Sequence, residues 1–122
     1  MTTNIIEAPN GAVAVIHSDT PVITDTQSAL DLAATLFYEH DCQSIVINKE
    51  AIIEDFFKLS TGVAGEITQK LVNFRFRLAI IGDFSGYTSK PLHDYIYECN
   101  KGHHLYFAGS EEAAVAKLGG LD

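Results

Sequence analysis

Apolar residues recur along the chain with two different periods, and the alternation between them predicts the order of elements. Asn4 to Ala8 and Ala12 to His17 are short β-prone runs. Pro9-Asn10-Gly11 between them fixes one φ and tolerates positive φ next, which signals a hairpin. Beyond Pro21, Ile23-Thr24-Asp25-Thr26 offers capping side chains. Ala29, Leu32, Ala33, Leu36 and Phe37 then return at helical spacing, which predicts a helix over Thr26 to Glu39. Ser44-Ile45-Val46-Ile47-Asn48 is continuously apolar at its centre, the pattern of a strand buried on both faces.

Ala51 to Leu59, with Ile52, Ile53, Phe56 and Phe57, reads as a short amphipathic helix, and Ser60-Thr61-Gly62 interrupts it before a second helix over Val63 to Asn73. Phe76 to Gly82 is the next strand, centred on Leu78-Ala79-Ile80-Ile81, and Asp83 to Tyr87 is the loop after it. Ser89-Lys90-Pro91 opens a helix with proline at an early position, where its missing N–H costs nothing, and Gly102 ends it after Asn100. His104 to Ala108 is a last strand, and Ser110-Glu111-Glu112 caps a final helix over Ala113 to Leu118. An N-terminal hairpin followed by alternating helices and strands predicts an α/β fold with a mainly parallel sheet flanked by helices, in one domain over 1–122.

Composition narrows the function classes. A chain of 122 residues with 47% hydrophobic and 20% charged positions packs as an ordinary globule. Eight basic against sixteen acidic side chains give a net charge of −8. That charge repels phosphate backbones and anionic lipid, so neither nucleic acid nor a membrane surface is an expected partner. The N-terminal residues lack a positive region and the longest wholly apolar run is Ala12 to Ile16, so the chain reads as cytoplasmic. Cys42 and Cys99 form no CxxC and read as reduced thiols.

Catalytic material is sparse. His103 and His104 are adjacent, which in a strand points them to opposite faces, and His17, His40 and His93 lie in other elements without ligand spacing. With no HExxH, P-loop or GxGxxG, no cofactor or metal is expected. In a parallel sheet the informative place is the crevice beyond the carboxyl ends of the strands. Asn48-Lys49, Gly82 to Ser85, Gly109-Ser110 and the Ser60-Thr61-Gly62 break should cluster there. In the helix after the break, Val63, Ile67 and Leu71 can face the core, while Glu66, Gln69, Lys70 and Asn73 form a polar stripe. Ser60 or Thr61 serves as a helix cap, as a modifiable hydroxyl, or as both. Gly65 costs helix stability and calls for a reason, tight packing ahead of ligand contact. Asp83 reads equally as loop cap and functional carboxylate.

Phe56-Phe57-Lys58-Leu59-Ser60-Thr61-Gly62-Val63-Ala64-Gly65-Glu66 through Gln69-Lys70, with Ala79 to Phe84 and Tyr97 to Gly102, resembles a bacterial family known as domain of unknown function 4180. No activity is assigned to that family. The chain is also similar, more distantly, to STAS domains, the fold of anti-sigma-factor antagonists. There an Asp-Ser-Ser-Gly string follows a parallel strand, opens a helix, and carries the serine whose phosphorylation switches binding to a partner kinase. Leu59-Ser60-Thr61-Gly62 takes the comparable place, with Leu59 where that string has aspartate.

Two functional readings follow. The first is a non-enzymatic, STAS-like regulatory or interaction module whose protein partner docks near Ser60 to Asn73, with Ser60, Thr61, Gly62, Gly65, Glu66, Gln69, Lys70, Asn48 and Asp83 as its switch or binding residues. The second is a small-molecule-binding protein or small enzyme using the polar rim of Glu66, Asp83, Asn48 and Lys49. A deep pocket with converging carboxylates favours the second, a flat rim the first. A homodimer built on exposed aromatics such as Tyr38, Tyr87, Tyr95 and Tyr97 is a third, structural option.

Overall fold

A computed structural model describes residues 1–121. Its elements are β1 (Thr2–Ile6), β2 (Val13–His17), α1 (Thr26–His40), β3 (Ser44–Asn48), α2 (Val63–Asn73), β4 (Arg77–Ile81), α3 (Lys90–Lys101), β5 (Leu105–Ala108) and α4 (Glu111–Gly119). The five strands form one sheet in the order β1-β2-β3-β4-β5, antiparallel between β1 and β2 and parallel thereafter. Gly11, at φ +107°, makes the hairpin turn that Pro9-Asn10-Gly11 predicts.

The topology follows from handedness. Each crossover from β2 to β5 moves one strand in the same direction, so right-handed connections place α1, α2 and α3 on one face. Ile16, Ile45, Ile47, Leu78, Ile80 and Phe107 point to that face and pack against Ala33, Leu36, Ile67, Leu71 and Leu92 of the three helices. The alternate residues Val13, Val15, Val46, Ala79 and Tyr106 point to the other face, where α4 supplies Ala114, Val115 and Leu118. α4, which comes after the last strand of the sheet, covers this second face.

The hairpin strand β1 is one edge of the sheet and pairs only with β2. On the other, Asn100 at the end of α3 turns its amide onto β5, accepting from Phe107 N–H at 2.8 Å and donating to Phe107 C=O at 3.3 Å. The side chain thus answers the backbone groups that an added strand would use.

The helix expected over Ala51 to Leu59 is instead three 3₁₀ turns, at Lys49–Ala51, Glu54–Phe57 and Leu59–Thr61. Ile52 is extended and bridges Ile23 in parallel fashion; Ile53 N–H donates to Ile23 C=O, and Val22 and Ile23 N–H donate to Ala51 C=O. Two β-branched residues in succession favour the extended backbone, and the β2–α1 connection offers them a partner that a helix would forgo.

Candidate functional site

At the carboxyl ends of β3 and β4 the 3₁₀ segment and the β4–α3 connection stand apart and enclose a cleft of about 520 Å³. One wall is Glu54, Phe57, Lys58, Leu59 and Ser60; the other is Gly86, Tyr87, Thr88, Ser89 and Pro91. Its floor is aromatic: the rings of Phe57 and Tyr87 lie 5.7 Å apart, and Phe84 contacts both. Ser89 is simultaneously the N-cap of α3, accepting from Leu92 N–H at 3.3 Å.

Tyr87 is the residue on which the cleft turns. Its phenol donates to Glu54 Oε1 at 2.9 Å, its ring lies 5.3 Å from Lys49 Nζ, and its carbonyl meets the His93 ring. Burial, and then the hydrogen bond to Glu54, push the phenol up to about 12. Lys49 reaches this position across Gly82, where a Cβ would come 2.5 Å from Lys49 Cδ. Glycine at the end of β4 is therefore what lets the lysine stem lie down toward the ring.

The residues singled out from the sequence part company here. Ser60 lines the cleft, and its hydroxyl makes no hydrogen bond among the described residues. The Thr61 hydroxyl is occupied: it lies 2.8 Å from both Asp55 C=O and Lys58 C=O, donating to one of them, and accepts from Val63 N–H at 3.2 Å. Gly62, at φ +79°, turns the chain from the last 3₁₀ turn into α2. Asp83 accepts from the Ser85 amide at 2.9 Å and from its hydroxyl at 2.6 Å, and these bonds hold its carboxyl below the usual range.

Asn48 is buried as a clamp: its Oδ1 accepts from Ser18 N–H at 3.0 Å and its Nδ2 donates to Ser18 C=O at 2.7 Å. Its amide also reaches Glu50, whose carboxyl is lowered first by that bond. Gly65, Glu66, Gln69 and Lys70 line a separate groove of about 470 Å³ with Asn73 and Thr26. A Cβ added at Gly65 would meet nothing within 4 Å, so the close packing expected there is absent.

Sequence reasoning passed over Glu54, Thr88 and Ser89 as site residues, and it took Tyr87 for an exposed aromatic of a homodimer, whereas the ring is half-buried in the cleft wall. Their only local signal is a tyrosine and two hydroxyls just ahead of Pro91; the partner wall lies some thirty positions earlier. Among the described residues no group of three His, Cys, Asp or Glu side chains could hold a metal ion. Cys42 is buried and Cys99 half-buried, both are free, and burial raises both thiols. No helix among the described residues is long and apolar enough to cross a membrane.

A family profile described as domain of unknown function (DUF4180) matches residues 8–118. The chain belongs to the DUF4180 family. No curated protein and no solved structure matches it. The string Phe56 to Glu66, on which the DUF4180 likeness rests, supplies one wall of the cleft at Phe57 to Ser60 and the entry to α2.

Proposed function

We propose that the chain is a binding module rather than an enzyme, a STAS-like regulatory or interaction domain whose protein partner inserts a side chain or short segment into the cleft between Glu54–Ser60 and Gly86–Pro91. The observation that carries this reading is that the groups able to do chemistry are engaged within the fold. Asp83 serves Ser85, Asn48 serves Ser18, Thr61 serves the 3₁₀ turns, and Glu54 holds the Tyr87 phenol. What faces the cleft freely is an aromatic floor with the Ser60 and Thr88 hydroxyls, which recognise shape and can accept a modification but do not constitute a proton-transfer pair. The order of elements and the place of Ser60 ahead of α2 support the STAS comparison. A phosphate on Ser60 would bring about −1.5 to −2 charges to the rim and repel an acidic or apolar partner.

The test is a photocrosslinking residue placed at Thr88, compared with one at Glu112 on the far face of the sheet, in cells that make the protein natively. A discrete protein adduct at position 88, absent at 112 and lost with Ser60→Glu, supports the module. Adducts that ignore the position of the probe or the state of Ser60 overturn it. The volume of the cleft, about 520 Å³, also falls within the range of small-molecule sites. A stoichiometric compound released on denaturation and displaced by Tyr87→Ala would decide for that second reading.

A further inference from the structure

The sheet ends at β5, with no strand beyond it. Leu78 N–H donates to His104 C=O at 2.9 Å and Gly82 N–H to Ala108 C=O at 3.0 Å, so the even-numbered residues of this strand turn their backbone groups to β4. Those of Leu105 and Phe107 therefore point outward. Phe107 is nonetheless paired, because Asn100 Oδ1 accepts from its N–H at 2.8 Å and Asn100 Nδ2 donates to its C=O at 3.3 Å. A neighbouring strand would answer the same two groups.

The cover over this edge is a side chain and not an element. A groove of about 330 Å³ lies there, lined by Asn100 from α3, by Tyr106, Phe107 and Ala108, and by Ala113 and Lys117 from α4. The two helices flank the edge, and the small side chains of Ala108 and Ala113 leave the space between them open. Asn48 makes the same pair of bonds to Ser18, but it does so as a buried residue inside the fold. Asn100 is exposed, in the last turn of α3, and its amide is given over to one residue of an edge strand.

We infer that Asn100 is an edge guard: its amide takes the bonds that a strand of another chain would use, and without it the β5 edge is where such a strand adds. The contact is autoinhibitory, since rotation of one side chain is enough to free the Phe107 backbone beside a groove that is already open. This device stands apart from the cleft at the carboxyl ends of β3 and β4 and does not depend on what binds there.

Hydrogen exchange and sedimentation velocity test the guard together. In the wild type the Phe107 amide should exchange about tenfold more slowly than the Leu105 amide, each taken relative to its intrinsic rate, because both point outward and only Phe107 has a partner. Asn100→Ala should lose that protection and self-associate between low micromolar and submillimolar protein, with circular dichroism unchanged. Asn100→Lys should lose the protection too, yet stay as dispersed as the wild type, because a charge then blocks the edge in place of the bonds. The β1 edge is the same in all three chains, so a difference among them reads β5 alone. Equal protection of Phe107 and Leu105 in the wild type overturns the inference, as does an Asn100→Ala chain that associates no more than the wild type. Association of Asn100→Lys equal to that of Asn100→Ala also overturns it, because loss of stability and not an open edge would then be the cause. If Asn100→Ala fails to fold, the exchange comparison within the wild type decides.

Discussion

Tyr87 and Glu54 hold the two walls of the cleft together through one hydrogen bond of 2.9 Å between residues 33 positions apart. The bond sets the width of the opening, because the wall from Glu54 to Ser60 is built of 3₁₀ turns that have no longer helix to stiffen them. After burial, the larger cause, it also raises the phenol's pKa. Lys49 approaches the same ring from beside Gly82, so cleft geometry and the end of β4 are coupled through one side chain.

A first prediction comes from the tyrosines. Burial raises Tyr87 and Tyr95 from 10.0 to about 12 in the folded chain. Between those values the unfolded chain releases protons that the folded chain keeps, so stability is fully present below pH 10 and falls as pH rises toward 12. Ultraviolet titration of the native protein should show two of the five tyrosines ionising late, and Tyr87→Phe should remove one of them. Five phenols that ionise together while the protein remains folded would contradict this.

The buried Asn48 gives a second. Its amide satisfies both the N–H and the C=O of Ser18, which no other group in that bend answers. Asn48→Ala leaves two buried backbone groups unpaired, and the cost should be about 2–4 kcal/mol in urea unfolding, with an unchanged m-value. A loss below about 0.5 kcal/mol would place water where the amide now is.

Gly65 yields a third, of opposite sign. Its helical position is open, so Gly65→Ala adds a methyl that touches nothing and removes backbone freedom from the unfolded chain. The substitution should stabilise the protein by about 0.5–1 kcal/mol. A destabilisation in thermal unfolding would show that the groove with Glu66 and Gln69 closes on the glycine in solution.

How much of this was legible in sequence depended on how local the cause was. Ser44 to Asn48 and Val63 to Asn73 are found on the residues their patterns indicate, because a continuous β-branched centre and a 3.6-residue repeat carry their own instruction. The segment from Lys49 to Thr61 was not legible: its extended Ile52 answers Ile23, nearly thirty residues earlier, and helical spacing of Ile52, Ile53, Phe56 and Phe57 imitates a pattern that tertiary pairing overrides. The same holds for the site. Ser60 was visible beside a glycine break, whereas Glu54 and Tyr87 become a pair only once β3 and β4 lie side by side. Residue type likewise could not reveal that Asp83 and Asn48 spend their polar groups on Ser85 and Ser18.

The last prediction separates the two adjacent hydroxyls. Thr61 Oγ1 ties the 3₁₀ turns to the first free amide of α2, so Thr61→Glu should lose about 1 kcal/mol and loosen the cleft wall. Ser60 makes no such bond and is exposed, so Ser60→Glu should leave the melting temperature almost unchanged while placing a carboxylate on the rim. Ile67, 1% exposed beneath the same helix, sets the scale of true disruption, because Ile67→Asp buries an unpaired charge and should abolish the folded state. Thermal unfolding of the three variants should therefore rank Ser60→Glu above Thr61→Glu and both far above Ile67→Asp. Equal loss from Ser60→Glu and Thr61→Glu would mean that the Ser60 hydroxyl carries a structural bond of its own. The rim would then lack the free hydroxyl on which a switch depends.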